Sequence, residues 1–71
     1  MAEVKVYYDS IGETLTVWFG DPQTEYICEE TAAEVILMKD NAGHVIGFEK
    51  LNYTIPDGGV KVSFETAALG T

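Results

Sequence analysis

Apolar residues recur at every second position in three separate stretches of this chain, a period that suits strands and not helices. Val4, Val6 and Tyr8 alternate with Glu3, Lys5 and Tyr7; Leu15, Val17 and Phe19 alternate with Thr14, Thr16 and Trp18. Val60, Val62 and Phe64 alternate in the same way with Lys61, Ser63 and Glu65. Side chains two apart on an extended backbone point the same way, so each stretch gathers its apolar residues on one face. Val, Thr, Trp and Phe also fit a pleated surface better than a helix. The first two stretches, joined through Asp9-Ser10-Ile11-Gly12-Glu13, read as a β-hairpin.

A fourth apolar stretch breaks the alternation. Val35-Ile36-Leu37-Met38 is continuous, which implies a strand covered on both faces. Lys39-Asp40-Asn41-Ala42-Gly43-His44 supplies turn chemistry, with Gly43 free to take the left-handed conformation. Val45–Leu51 then returns as the second hairpin's other strand, and Gly47 within it predicts a bulge or a close backbone approach. Between the hairpins, Gly20-Asp21-Pro22 ends a strand, and Asp21 before Pro22 could cap a helical turn. The stretch 23–33 reads as an extended excursion with one short strand or helical turn. The expected fold is mostly β: a small antiparallel sheet of two hairpins plus a fifth, C-terminal strand, with little helix. One domain over 4–65 and a frayed tail over 66–71 complete the reading.

With 71 residues, the chain hides only roughly 60% of its unfolded surface on folding. Scaffolds this small generally add a disulfide, a metal or a partner subunit. A disulfide within the chain is excluded because Cys28 is the only cysteine, and Cys28 with His44 falls short of a four-ligand zinc site. Self-association is therefore expected. Twelve acidic residues face four lysines and no arginine, for a formal charge of −8. Nucleic acid and anionic membrane surfaces are disfavoured as partners, because both are gripped by Lys and Arg. No apolar run approaches a membrane span, and Met1–Lys5 does not open a signal peptide, so a cytoplasmic protein is expected.

The order of these features resembles the small bacterial family catalogued as domain of unknown function 2283. The resemblance rests on Val6-Tyr7-Tyr8-Asp9, Thr14-Leu15-Thr16-Val17-Trp18-Phe19, Val35-Ile36-Leu37, and Asp40 through Glu49 to Leu51. The first turn departs from it, with Gly12-Glu13 where relatives more often carry an Ala-Asp-type pair, and Ile55–Thr71 extends past the usual end. The resemblance implies a compact antiparallel β domain without an established catalytic activity. It also implies a place beside small toxin-like proteins, as an antitoxin component.

Polar constellations are sparse. Cys28 and His44 are the only members of a thiol–imidazole pair, and a buried Cys28 with a turn His44 explains them as well. Asp9 with Glu13, Glu29 with Glu30 and Glu25 with Glu34 offer paired carboxylates, but exposed turn carboxylates lack the burial that separates their pKa values. Asp9 suits an Asx-turn. Asp40–Gly43 holds too few ligands for a calcium loop. Glu49 falls on the Val45–Gly47–Leu51 side of an apolar strand, either as an inward functional carboxylate or as an edge charge that blocks stray pairing. Asp9 and Glu49 are thus the candidate functional carboxylates; no catalytic set, cofactor or metal is expected.

The bulky residues are more informative. Tyr7 and Trp18 lie on the nominally polar faces of the first two strands, and with Ile36 and Met38, or with Ile46 and Phe48, they would build a second apolar surface. Trp, Tyr, Phe and Met are enriched at interfaces. The leading expectation is a non-enzymatic module that self-associates as a homodimer through these residues. The alternative is an acidic, antitoxin-like or regulatory partner of a small basic protein.

Overall fold

A computed structural model of the chain describes residues 3–56, 59 and 61–67. The element order is β1 (Lys5–Asp9), β2 (Thr14–Trp18), a 3-10 turn (Pro22–Thr24), β3 (Ile27–Glu30), β4 (Val35–Lys39) and β5 (Val45–Lys50). All five strands form one antiparallel sheet in the order β1-β2-β5-β4-β3.

Each hairpin is closed by its own turn carboxylate. Asp9 Oδ1 accepts from the N–H groups of Ile11 (3.0 Å) and Gly12 (3.1 Å), an Asx-turn that reverses the chain between β1 and β2. The left-handed residue of this turn is Glu13 (φ 56°), not Gly12. Asp40 Oδ1 accepts from Ala42 (3.0 Å) and His44 (2.9 Å) between β4 and β5, and Gly43 takes a φ of 87° that an L side chain resists. The stretch 23–33 contains both alternatives considered for it. Asp21 caps the 3-10 turn by accepting from Gln23 N (2.9 Å), with Pro22 at its first position, and Ile27–Glu30 then pairs with β4.

The fifth strand is therefore β3 rather than a C-terminal one. Residues 61–67 form no strand; Val60 and 68–71 lie outside the described residues, which takes in most of the expected tail. Alternation alone did not secure a strand there, because a strand exists only where a neighbour accepts its backbone. β3 found that neighbour in β4 through the tight connection Thr31–Glu34, where Thr31 N and Oγ1 both donate to Val35 O.

After β5, Leu51 N donates to Glu34 O and Tyr53 N to Glu13 O, each at 2.8 Å. Tyr8 Oη donates to Tyr53 O (2.9 Å), and the two rings meet edge to face with centroids 6.2 Å apart. The chain leaves the sheet from that point. The core is correspondingly thin: Met38 and Ile46 are the buried hydrophobic residues among those described, and β2 is half-exposed throughout. β4, expected to be covered on both faces, has only Met38 buried. No helix among the described residues is long and apolar enough to cross a membrane.

Candidate functional site

Register decides which side chains share a surface, because residues directly opposite one another in a sheet point the same way. One face carries the row Val6–Val17–Phe48–Leu37–Glu29 and, beside it, Tyr8–Leu15–Lys50–Val35. The other carries Lys5–Trp18–Gly47–Met38–Cys28 and Tyr7–Thr16–Glu49–Ile36–Glu30. We call these the aliphatic face and the mixed face.

Tyr7, Trp18, Ile36 and Met38 share a surface, the first of the two groupings considered. Phe48 does not: it belongs to the aliphatic face, between Val17 and Leu37. Ile46 sits at an irregularity. Met38 pairs with Gly47 and Lys39 with Val45, so Ile46 is the extra residue of a bulge. Its carbonyl accepts from both Phe19 N and Gly20 N at 2.9 Å. A Cβ on Gly20 would come within 2.7 Å of the Ile46 Cβ, so the missing side chain there lets Ile46 bury. The bulge also moves Val45 to the face opposite Glu49.

Gly47 shows the close approach expected of it. A Cβ at this position would lie 2.7 Å from the Val17 carbonyl oxygen and 2.8 Å from Trp18 Cε3. The indole of Trp18 therefore lies over Gly47, in the row that ends on Met38 and Cys28.

Glu49 lies on the central strand of the sheet, so the reading of it as an edge charge is corrected. Its carboxylate is half-buried on the mixed face, with Thr16 Oγ1 donating to Oε2 at 3.5 Å and Ile36 opposite on the other side. Asp9 is engaged in its turn and lies on an edge strand, separated from Glu49 by β2.

Cys28 is exposed rather than buried. Its Sγ donates to Glu25 Oε2 at 2.8 Å. That hydrogen bond, local desolvation and the nearby charges of Glu25 and Glu49 hold the thiol above its ordinary pKa, so the nucleophilic thiolate is disfavoured. His44 is exposed and lies 3.4 Å from Asp40 Oδ2. The N–H groups of His44 and Ala42 hold the Asp40 carboxyl below the usual range. Cys28 and His44 thus each answer to a carboxylate of their own. Among the described residues, no three of His, Cys, Asp and Glu converge as metal ligands.

An open groove of about 330 Å³ lies at the start of β4, lined by Glu30, Thr31, Glu34, Ile36, Leu51 and Asn52 among others. Its polar groups satisfy each other, Asn52 Nδ2 donating to Glu34 Oε1 at 3.1 Å. Neither Asp9 nor Glu49 lines it.

What the interface candidates omitted is the aliphatic row itself. Val6, Val17 and Leu37 were visible as alternation, but only the register shows them joined through Phe48 into one stripe across four strands. The charges on this face have partners of their own. Lys39 Nζ reaches Glu29 Oε1 (2.7 Å), and Lys50 Nζ reaches the Leu51 carbonyl (2.8 Å) and Glu34 Oε2 (3.5 Å).

Comparison with protein families finds a match over residues 5–53 to the family described as "Protein of unknown function (DUF2283)". The match runs from the first residue of β1 to the tyrosine that ties the chain to the first turn. Neither the curated proteins nor the solved structures include a match to the chain.

Proposed function

The chain belongs to the DUF2283 family, and because that description carries no activity we propose a function from the sheet itself: a non-enzymatic interaction module that pairs with a second copy of itself through its aliphatic face. One observation carries this reading. Val6, Val17, Phe48 and Leu37 form an unbroken apolar row, Val6 exposed and the other three half-exposed, and among the described residues no further strand or helix makes a layer over it. Sheets bury such faces against another sheet or a layer of helices. A second copy supplies the layer, stacked at about 10 Å.

Light scattering coupled to size-exclusion chromatography tests it. The expected mass is twice that of the chain at micromolar concentration. Leu37→Lys should shift the mass toward the monomer, while emission from Trp18 on the opposite face reports that the sheet is intact. A monomeric wild-type chain overturns the proposal.

A second reading draws on a different feature. Glu25, Glu29, Glu30 and Glu34 are all exposed around β3, where Lys39 and Lys50 pair with Glu29 and Glu34 alone. An acidic edge of this kind suits an antitoxin-like or regulatory partner of a small basic protein. Pull-down from the native host at low salt should recover one dominant basic protein that high salt releases; recovering none counts against it.

A further inference from the structure

The segment Lys61–Glu65 has a strand's alternation but no strand to pair with. Val62 is 59% and Phe64 82% exposed, and no backbone hydrogen bond among the described residues ties 61–67 to the sheet. The sheet meanwhile ends on β1, whose outer edge has no neighbouring strand among the described residues. Unpaired edges are templates for an added strand.

We infer that Lys61–Glu65 of one copy adds antiparallel to the β1 edge of a second copy, with Lys61 opposite Asp9, Val62 opposite Tyr8, Ser63 opposite Tyr7, Phe64 opposite Val6 and Glu65 opposite Lys5. In this register both ends pair opposite charges. Val62 and Phe64 extend the aliphatic face, continuing the rows that begin at Tyr8 and Val6. Asp9 uses Oδ1 for its turn, leaving Oδ2 for Lys61.

Other arrangements are worse. Sliding by two residues toward the N-terminus sets Glu65 against Glu3, and sliding by one turns Val62 and Phe64 onto the mixed face. A parallel strand with Lys61 at Lys5 and Glu65 at Asp9 opposes like charges at both ends. The other outer strand, β3, sets Val62 or Phe64 against Glu25 or Glu29 in the registers that place them on the aliphatic face, and it lies among the exposed glutamates.

The second copy is the occupant because the segment is not paired with its own β1 edge and because the aliphatic face alone is small. Five strands of about five residues project to about 24 Å by 17 Å, or roughly 400 Å². Each partner in a standard interface contributes about 800 Å². Reciprocal exchange of two strands adds area and backbone hydrogen bonds around one two-fold axis. Residues 54–60 can span up to about 23 Å, enough to cross a sheet spacing of about 10 Å.

This inference rests on the self-association proposed above, and cross-linking separates the two. In a Cys28→Ser background, chains carrying Tyr7→Cys are mixed with chains carrying Ser63→Cys and oxidised in a glutathione buffer. The mixed disulfide should form several-fold more than with Lys5→Cys or Asp9→Cys in place of Tyr7→Cys, because directly opposite Cβ atoms approach disulfide distance and diagonal ones do not. Glu65→Lys should weaken the dimer, and adding Lys5→Glu should restore it. A wild-type dimer without the Tyr7–Ser63 preference overturns strand exchange and leaves the face-to-face pairing standing; a wild-type monomer overturns both. A chain carrying both cysteines that closes only on itself also overturns the exchange.

Discussion

Replacing Gly47 by alanine sets two effects of opposite sign against each other at the centre of the sheet. Removing glycine from a strand interior ordinarily stabilises by about 0.5–1 kcal/mol, because the unfolded chain loses freedom. Here the new methyl would stand 2.7 Å from the Val17 carbonyl oxygen and 2.8 Å from Trp18 Cε3. The carbonyl belongs to the backbone of β2, which pairs with β5 at this point, so it cannot retreat without disturbing the ladder. The indole must then tilt away from the Met38 row. Overpacking of this kind costs about 1–3 kcal/mol, and a backbone obstacle places Gly47→Ala at about 2–3. The net expectation is a loss of about 1–2 kcal/mol, which lowers a urea midpoint by about 1 M or more for a chain of this size. Unfolding followed by Trp18 emission at a single chain concentration measures it, since self-association also moves the midpoint. The emission of the folded variant should itself shift. Gly43→Ala is the contrast: nothing lies within 4 Å of its Cβ, yet φ is 87°, so a backbone penalty of about 1–2 kcal/mol should appear with unchanged Trp18 emission. A Gly47→Ala midpoint equal to or above the wild type refutes the reasoning.

Cys28 should alkylate with iodoacetamide at a pH midpoint above that of a free thiol despite its exposure, and Glu25→Ala should bring the midpoint down; an ordinary midpoint in the wild type contradicts the Glu25 hydrogen bond. Asp40 titrates below the ordinary aspartate value of 3.8, so its contribution is complete above that value and lost as pH falls through its lower folded pKa. Asp40→Asn should therefore lower thermal stability at neutral pH and flatten the acid limb of a melting-temperature profile, and an unchanged limb counts against the turn contact. Tyr8→Phe removes the hydrogen bond to the Tyr53 carbonyl and should cost about 0.5–1 kcal/mol. Hydrogen exchange at the Tyr53 amide should speed up several-fold, and an unchanged rate shows that the anchor lies elsewhere.

Both hairpins were legible because their signals are local. Alternation placed β1 and β2 within two residues of their ends, and Asp9, Asp40 and Gly43 do in the turns what their chemistry suggests. The order of the strands was not legible. β2 pairs with β5, not with its successor, and nothing between Trp18 and Val45 announces that long-range choice. Glu49 was misjudged for this reason: the same residue is an edge charge or a central one depending on a pairing formed elsewhere. Phe48 was offered with Ile46 as a companion of Tyr7 and Trp18 because periodicity was not resolved around Gly47, and the bulge at Ile46 is a property of two strands together. The C-terminal alternation shows the opposite failure, a sound local pattern without a strand partner among the described residues.

The two faces differ in what a second copy would have to remove from water. Covering the mixed face would bury Glu49, whose carboxylate accepts from a single threonine hydroxyl at 3.5 Å among the described residues, and the chain has no arginine with which a second copy could answer it. An ionised carboxylate buried without a full set of donors costs several kcal/mol, more than Tyr7 or Ile36 would return by losing their exposed surface. On the aliphatic face the same operation removes water from Val6, Val17, Leu37 and Phe48, while Lys39 and Lys50 already have carboxylate partners. The residues that look most like an interface by type, Tyr7 and Trp18, therefore sit on the face less suited to a dry one. Trp18 has work within its own chain, lying over Gly47. The Val-Leu-Phe stripe, unremarkable in composition, is the surface whose covering costs least and stabilises most.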